Sequence, residues 1–436
     1  MRLRRPIRSF LLSLTVVAAV AACTPPGPTA PVWTPTVVGW NATPGSEVER
    51  PLAATTDNWF VVIEQRPAIG VGATSSTLLI YPRSGTDGAP AAAPSQSIVL
   101  PVAIAGLAMS DHVIAVRSRD DVSNLDTVGL YALDPATNTW LLSTVVPRGL
   151  DSTHLVNLRV TDTALALGIT PIPGGTGDGT VLVVPLAISG AIISWSFSTI
   201  AVVSPPTAWS LSDRQGFGRA LSIEGGWLAV SGGNDHVVAY QRSGNAWTPD
   251  LTLTNPIAPG NDGRFGRSLS IDTDQPGVGP RLLVGTQGGF SGIGGVPTAG
   301  RAEIWARSGT GWTLQSIISP RPGSALGGFA VGVEVGLDRS RAIVGYYWAQ
   351  IPGAGGVSVV DDYRLEAWNL DAANQPTFES ELSLIAAVGG PLPGQNAAAP
   401  VGVQLSGSHV AVDSWDTFGA NPTHFSAVSF DRHPAT

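Results

Sequence analysis

The side chains best suited to metal or proton-transfer chemistry are thinly spread along this chain. The six histidines, His112, His154, His236, His409, His424 and His433, form no His-Glu-x-x-His motif and no pair at helical spacing, so a metallohydrolase has no visible ligand set. All 24 basic residues are arginine. Without lysine there is no phosphate-loop lysine, no Schiff-base lysine and no Ser-Lys dyad. A Gly-x-Ser-x-Gly elbow and a dinucleotide fingerprint are also missing. The acid pairs Asp120-Asp121 and Asp361-Asp362 read as solvated charge in connecting loops. Carboxylates brought from distant parts of the chain to one axis stay open as an acid/base constellation.

One residue has a definite chemical assignment. Cys23 is the only cysteine and follows Val20-Ala21-Ala22. Ahead of it lie Arg2, Arg4, Arg5 and Arg8, then an apolar run from Phe10 to Ala22, which together form the n- and h-regions of an export signal and are too short to span a bilayer comfortably. The junction resembles a bacterial lipobox, in which small residues admit the peptidase and the thiol then receives diacylglycerol. A lone exported thiol at this place serves anchoring rather than disulfide or metal chemistry. Residues 1–22 are thus expected to be a lipoprotein signal peptide and 23–31, rich in proline, an extended tether. The expected location is the extracytoplasmic face of a bacterial envelope membrane, reached by general secretion or, given Arg4-Arg5, by twin-arginine export.

Removing the four signal arginines leaves 20 against 32 carboxylates, a mature charge near −12, so nucleic acid is excluded as the expected partner. Fifty-two glycines and 35 prolines, with many Val, Ile, Thr and Trp, describe short strands and tight turns rather than helices. Some 400 residues exceed one ordinary sandwich. Either several β-domains or one large repeat fold must hold them.

A repeat decides between these. A short apolar strand recurs seven times, at 60–64, 112–116, 164–168, 227–232, 281–285, 341–345 and 409–413. Each is followed by a second alternating strand, at 78–81, 128–133, 180–185, 236–241, 301–306, 363–368 and 424–430. A further strand closes most units and begins with Trp140, Trp195, Trp247 or Trp312. The spacing suits a four-stranded propeller blade with loops and bounds the blade number between six and eight; the seven copies select seven. The last unit lacks its closing strand, while Val32-Trp33-Thr34-Pro35-Thr36-Val37-Val38 has that form and no unit to own it. The expectation is an all-β, seven-bladed propeller over 32–436, with four-stranded antiparallel blades near 41–101, 102–147, 148–204, 205–255, 256–320, 321–385 and 386–436. The segment 32–39 closes the last blade and so removes an aggregation-prone edge.

Two adjacent units share three motifs in one order: Gly216-Phe217-Gly218-Arg219 and Arg264-Phe265-Gly266-Arg267, then Leu228-Ala229-Val230-Ser231-Gly232 and Leu282-Leu283-Val284-Gly285, then Arg242-Ser243-Gly244 and Arg307-Ser308-Gly309. On these motifs the chain resembles the FG-GAP repeats of integrin-alpha-like propellers. Tyr81-Pro82-Arg83-Ser84-Gly85 and Gly328-Phe329 keep fragments of the pattern in outer units. The resemblance implies phenylalanines packed between blades and glycines where the backbone approaches closely or turns to positive φ. It also implies calcium in an Asp-rich loop. The nearest match is Asp272-Thr273-Asp274-Gln275-Pro276-Gly277, where Pro276 replaces the third acid; Asp272 and Asp274 are the metal-ligand candidates, and a structural turn is the competing reading.

Loops between second and third strands share a face with the inter-blade connections, the face that carries ligands in the resembling family. Tyr346, Tyr347 and Trp348, and Trp415 with Phe418, fall there as ligand-binding candidates, since aromatic rings suit protein partners and sugar faces; the alternative is that they cover blade edges. The functional expectation is a lipid-anchored interaction or adhesion module for a protein or a cell-wall glycan, more a binder than an enzyme. Its rivals are an extracytoplasmic glycan lyase or hydrolase with an axial site, and a scaffold of an envelope complex. The sequence sets neither the ligand nor the oligomeric state.

Overall fold

The computed structural model describes residues 31–41, 52–66, 75–83, 88–100, 102–120, 125–147, 153–171, 175–233, 236–255, 264–275, 278–288, 300–309, 311–319, 329–350, 359–383, 398–416 and 424–433. Cys23, Phe418 and most of the tether lie outside them. Alternating apolar residues and Gly-rich turns give short antiparallel strands that gather into seven four-stranded sheets. Blade one is Leu52–Thr55, Trp59–Arg66, Ser75–Pro82 and Gln96–Leu100. Blade two is Ala103–Met109, Val113–Asp120, Leu125–Asp134 and Thr139–Pro147; blade three is Thr153–Thr161, Ala164–Pro171, Thr180–Pro185 and Ala201–Val203. Blade four is Leu221–Glu224, Trp227–Gly232, His236–Ser243 and Ala246–Thr254; blade five is Phe265–Asp272, Arg281–Thr286, Arg301–Ser308 and Gly311–Ile318. Blade six is Phe329–Asp338, Arg341–Gln350, Val359–Leu370 and Pro376–Ser383. In each the first strand is innermost.

Blade seven is built from both ends of the propeller. Ala398–Ser406, His409–Asp416 and His424–His433 pair in order, and Val32–Asn41 adds the outer strand, with Val32 opposite His433 and Asn41 opposite His424. The expected seven blades and N-terminal closure are thus present. Trp33 also does what the fourth-strand tryptophans do elsewhere, which is to grip the preceding blade. Trp140 meets Trp59 of blade one edge to face at 5.6 Å, and Trp312 meets Trp227 of blade four at 5.5 Å. Trp33 donates from Nε1 to Glu379 of blade six at 3.2 Å.

The core lies between blades, as when Val113 and Leu130 of blade two pack with Leu158 and Leu165 of blade three. Phe217 and Phe265 are buried there, each followed by a left-handed glycine, Gly218 at φ 93° and Gly266 at φ 72°. A Cβ built on Gly168 would lie 2.1 Å from the Gly218 carbonyl, so the close approach of blades three and four requires glycine at 168.

Three placements differ from expectation. Trp195 does not open an outer strand: a hairpin of Ala187–Ser189 and Ile192–Ser194 intervenes, and Ala201–Val203 takes the edge of blade three. Ile192 and Ile193 find their partners within that hairpin, so Trp195 falls beyond it and packs on Phe197 at 4.7 Å. Tyr346, Tyr347 and Trp348 belong to a strand rather than a loop, because Arg341–Gln350 pairs with its neighbours on both sides over that stretch. Asp361 and Asp362 are likewise strand residues, within Val359–Leu370.

Candidate functional site

The inner strands all run the same way along the axis, so residues at one distance from each first turn share one level of the channel. That turn carries an acid or hydroxyl in every blade: Thr56-Asp57, Ser110-Asp111, Thr161-Asp162, Glu224, Asp272, Asp338 and Ser406. These groups bond to the next blade. Glu224 Oε1 accepts from the Thr273 N–H at 3.5 Å, Asp272 Oδ1 from the Arg339 N–H at 3.1 Å, and Asp338 from the Gly407 N–H. Ser110 donates to Asp162 at 2.6 Å, and Ser406 to Asp57 at 3.2 Å. One level deeper, Ser222 and Ser270 accept from the Ile271 and Leu337 N–H groups, each at 2.9 Å. From blade four to blade seven, side-chain-to-backbone bonds thus satisfy donors that no fifth strand could reach, and side-chain pairs join blade two to three and blade seven to one.

Inside the ring is a cavity of about 820 Å³ to which all seven blades contribute. Its charges are sorted by end. The turn end carries Asp57, Asp111, Asp162, Glu224, Asp274 and Asp338, with Arg339 as the accompanying cation. Toward the strand starts lie Arg117, Arg219, Arg264 and Arg267, with Glu334; Arg159 stands two residues before the turn residue Thr161, and its guanidinium reaches back toward Asn157. Arg219 and Arg267 precede Ala220 and Ser268, four residues before the turn residues Glu224 and Asp272, which places them roughly 17 Å from the acidic mouth at 3.3 Å per residue. Arg117 sits on a second strand, yet reaches the channel because its inner-strand partner is Gly106. It contacts Asp126 at 3.3 Å, and Arg267 contacts Glu334 at 3.4 Å. Arg159 donates to Asn157 Oδ1 at 3.2 Å. Burial pushes the Glu334 carboxyl up, an effect that Arg267 opposes.

At the acidic mouth, burial together with Asp272, Asp274 and Asp338 pushes the Glu224 carboxyl from 4.5 up to about 9. The folded chain therefore keeps a proton that the unfolded chain releases near its ordinary value, and stability falls as pH rises from about 5 to about 9. Glu224→Gln keeps an acceptor for Thr273 and carries no charge. The variant is expected to match the parent near pH 5 and to exceed it at pH 9 by roughly 1–3 kcal/mol. Thermal unfolding across that range checks this, and parallel pH profiles for the two chains would refute it.

The residues singled out from sequence do not converge. Asp272 is 1% exposed and its Oδ2 accepts from the Arg281 Nε at 3.1 Å, so both of its oxygens face nitrogen donors; Asp274 lines the channel mouth. Among the described residues no three His, Cys, Asp or Glu side chains are grouped to hold a metal ion. Tyr346 is buried and its hydroxyl has no hydrogen-bond partner among the described residues, with burial raising its pKa well above the ordinary value. Tyr347 and Trp348 lie next along the same strand, and Trp415 lies near the end of the equivalent strand of blade seven, opposite Ala399 and Phe425. These strand ends share the face of the arginine end. His112 pairs with Asp162 at 2.7 Å, His409 with Asp431 at 2.9 Å, and His236 stacks on Trp209 at 4.4 Å. Sequence reading missed the channel charges. The recurrent Ser/Thr-Asp before the second strand in blades one to three was the available signal for the acidic mouth.

No family model and no curated protein matches the chain. Among solved structures, it is similar to the β-propeller domain of the Trilobed protease from Pyrococcus furiosus, with 8% identity over 90% of this chain and 97% of that one and a TM-score of 0.44. It is similar to the WD40 domain of coronin from Toxoplasma gondii at 10% identity, covering 92% of this chain and 88% of that one, TM-score 0.46. The WD40 domain of SCAP from fission yeast gives 10% identity, 91% and 98% coverage, and a TM-score of 0.43.

Proposed function

We propose that this propeller is a binding module of a bacterial cell envelope, held to the extracytoplasmic face of the membrane by lipid on Cys23, whose partner is a cell-wall glycan or a protein. The observation that carries the reading is the face bearing the strand starts. Its described residues form a polar end of a channel within a ring whose inner strands are bonded blade to blade, a largely preformed surface for a ligand. The FG-GAP likeness of the two central units supports the same reading, as do the positive-φ glycines at 218 and 266. Tyr347, Trp348 and Trp415 are its proposed aromatic contacts.

A catalytic reading has one observation in its favour, the carboxylates that six blades bring to the acidic mouth. Several of these already serve as inter-blade acceptors, which favours binding over acid/base work. Co-sedimentation of the purified full chain with insoluble cell-wall glycan tests the proposal. The parent is expected to sediment with the glycan, and the Tyr347→Ala, Trp348→Ala, Trp415→Ala triple variant to remain in solution with an unchanged unfolding midpoint. Equal sedimentation of a folded triple variant would remove these residues from the site.

A further inference from the structure

We infer that the arginine end of the axial channel is a binding site for a small polyanion, a molecule carrying two or more carboxylate or phosphate groups. This rests on the binding-module reading but uses neither the aromatic residues nor the lipid anchor. The case begins with charge. The mature chain is acidic, with 20 arginines against 32 carboxylates, yet blades two to five place five arginines on one stretch of channel wall. Like charges gathered in a walled cavity repel one another, and low-dielectric walls focus their field into the opening. Asp126 pairs with Arg117 and Glu334 with Arg267, while among the described residues no carboxylate pairs with Arg219 or Arg264.

The geometry then says what completes the balance. Arg219 and Arg267 are exposed at equivalent positions of adjacent blades, each beside an FG glycine that turns the strand. Arg264 is exposed at the rim, and Arg117 and Arg159 stand deeper. Guanidinium forks at several depths match an anion with several groups better than a single one, because each planar fork takes a carboxylate or phosphate by paired N–H bonds. A cavity of about 820 Å³ accepts a molecule of small-ligand size. The carboxylates at the opposite mouth repel an anion, so entry is from the arginine end alone. Carboxylate and phosphate share this recognition chemistry, and the two probes below separate them.

Isothermal titration of the purified full chain with citrate, with pyrophosphate, and with spermine as a polycation control tests the site. Citrate, pyrophosphate or both are expected to bind with one-to-one stoichiometry and to weaken as salt rises; whichever binds more tightly names the group. Arg219→Ala with Arg267→Ala should weaken that binding by about tenfold or more, while Asp57→Asn with Asp111→Asn at the far mouth should leave it within about twofold. Arg219 and Arg267 are both exposed, and an unchanged unfolding midpoint verifies that the variants fold. The inference is overturned if neither anion binds, or if the folded double-arginine variant binds like the parent. Anion binding that survives in the aromatic triple variant, with glycan binding lost, separates this site from the one proposed above.

Discussion

Arg281→Met should destabilise the propeller by roughly 3–5 kcal/mol, the cost of leaving a buried charge without its partner. Arg281 is fully buried at the start of the second strand of blade five. Its guanidinium donates to Asp272 in its own blade, to Asn374 Oδ1 at 3.2 Å, and to the Arg339 carbonyl. Asn374 and Arg339 belong to two separate turns of blade six, so one side chain joins three segments across a blade boundary. Methionine fills much of the space and makes none of these bonds. Asp272 would then face Glu224 and Asp338 without a counter-charge, and the acidic mouth would destabilise itself further as pH rises. Adding Asp272→Asn to the variant removes the stranded charge and keeps an acceptor for the Arg339 N–H. The double variant should therefore recover a large part of the loss, whereas Asp272→Leu would strand that N–H and recover little. Urea unfolding of the four chains decides it. A single variant within about 1 kcal/mol of the parent would mean that the pair behaves as a surface pair does.

The parts of this molecule that repeat are the parts that could be read before any coordinates. Seven apolar strands, a tryptophan at the head of the outer strand and an orphan copy of that strand around Trp33 all report on period, and period survives in a single sequence. The FG glycines were legible for the same reason. The channel was not, because the face a residue presents depends on register, and the inner strands carry irregularities that reset it. Register shifts fall between Ile104 and Gly106, Leu155 and Asn157, Phe265 and Ser268, Ala330 and Val333, and Pro400 and Gly402. Arg267 sits within such a shift, where simple alternation assigns the wrong side. Arg117 reaches the axis only because Gly106 has no side chain, a fact that belongs to the pairing and not to either residue. The strand through Tyr346 was cut short at Gly345 because a glycine reads as an ending; here Gly345 is an interior residue paired with Glu334 and Leu365.

Closure of the ring has two devices, and they should fail in different ways. Deleting the strand Val32–Asn41 removes ten paired residues and uncovers the edge of His424–His433, a row of free donors and acceptors that templates association. The expected result is a chain that elutes at a larger size than the parent, with the parent's elution restored by adding the 32–41 peptide in trans. Arg83→Met acts inside the ring instead. Arg83 follows the third strand of blade one and donates to Asp431 of blade seven at 2.5 Å, to Ser429 Oγ at 3.0 Å and to the Gly88 carbonyl at 2.8 Å. Both members of the ion pair are buried, so the substitution should cost roughly 3–5 kcal/mol. The edge of blade seven stays covered, however, and the variant should elute as the parent does. Size-exclusion chromatography and urea unfolding together distinguish the two. Should the deletion leave a chain of the parent's size and stability, the outer strand would not be what closes the propeller, and the junction of blades one and seven around Arg83 would have to hold it alone.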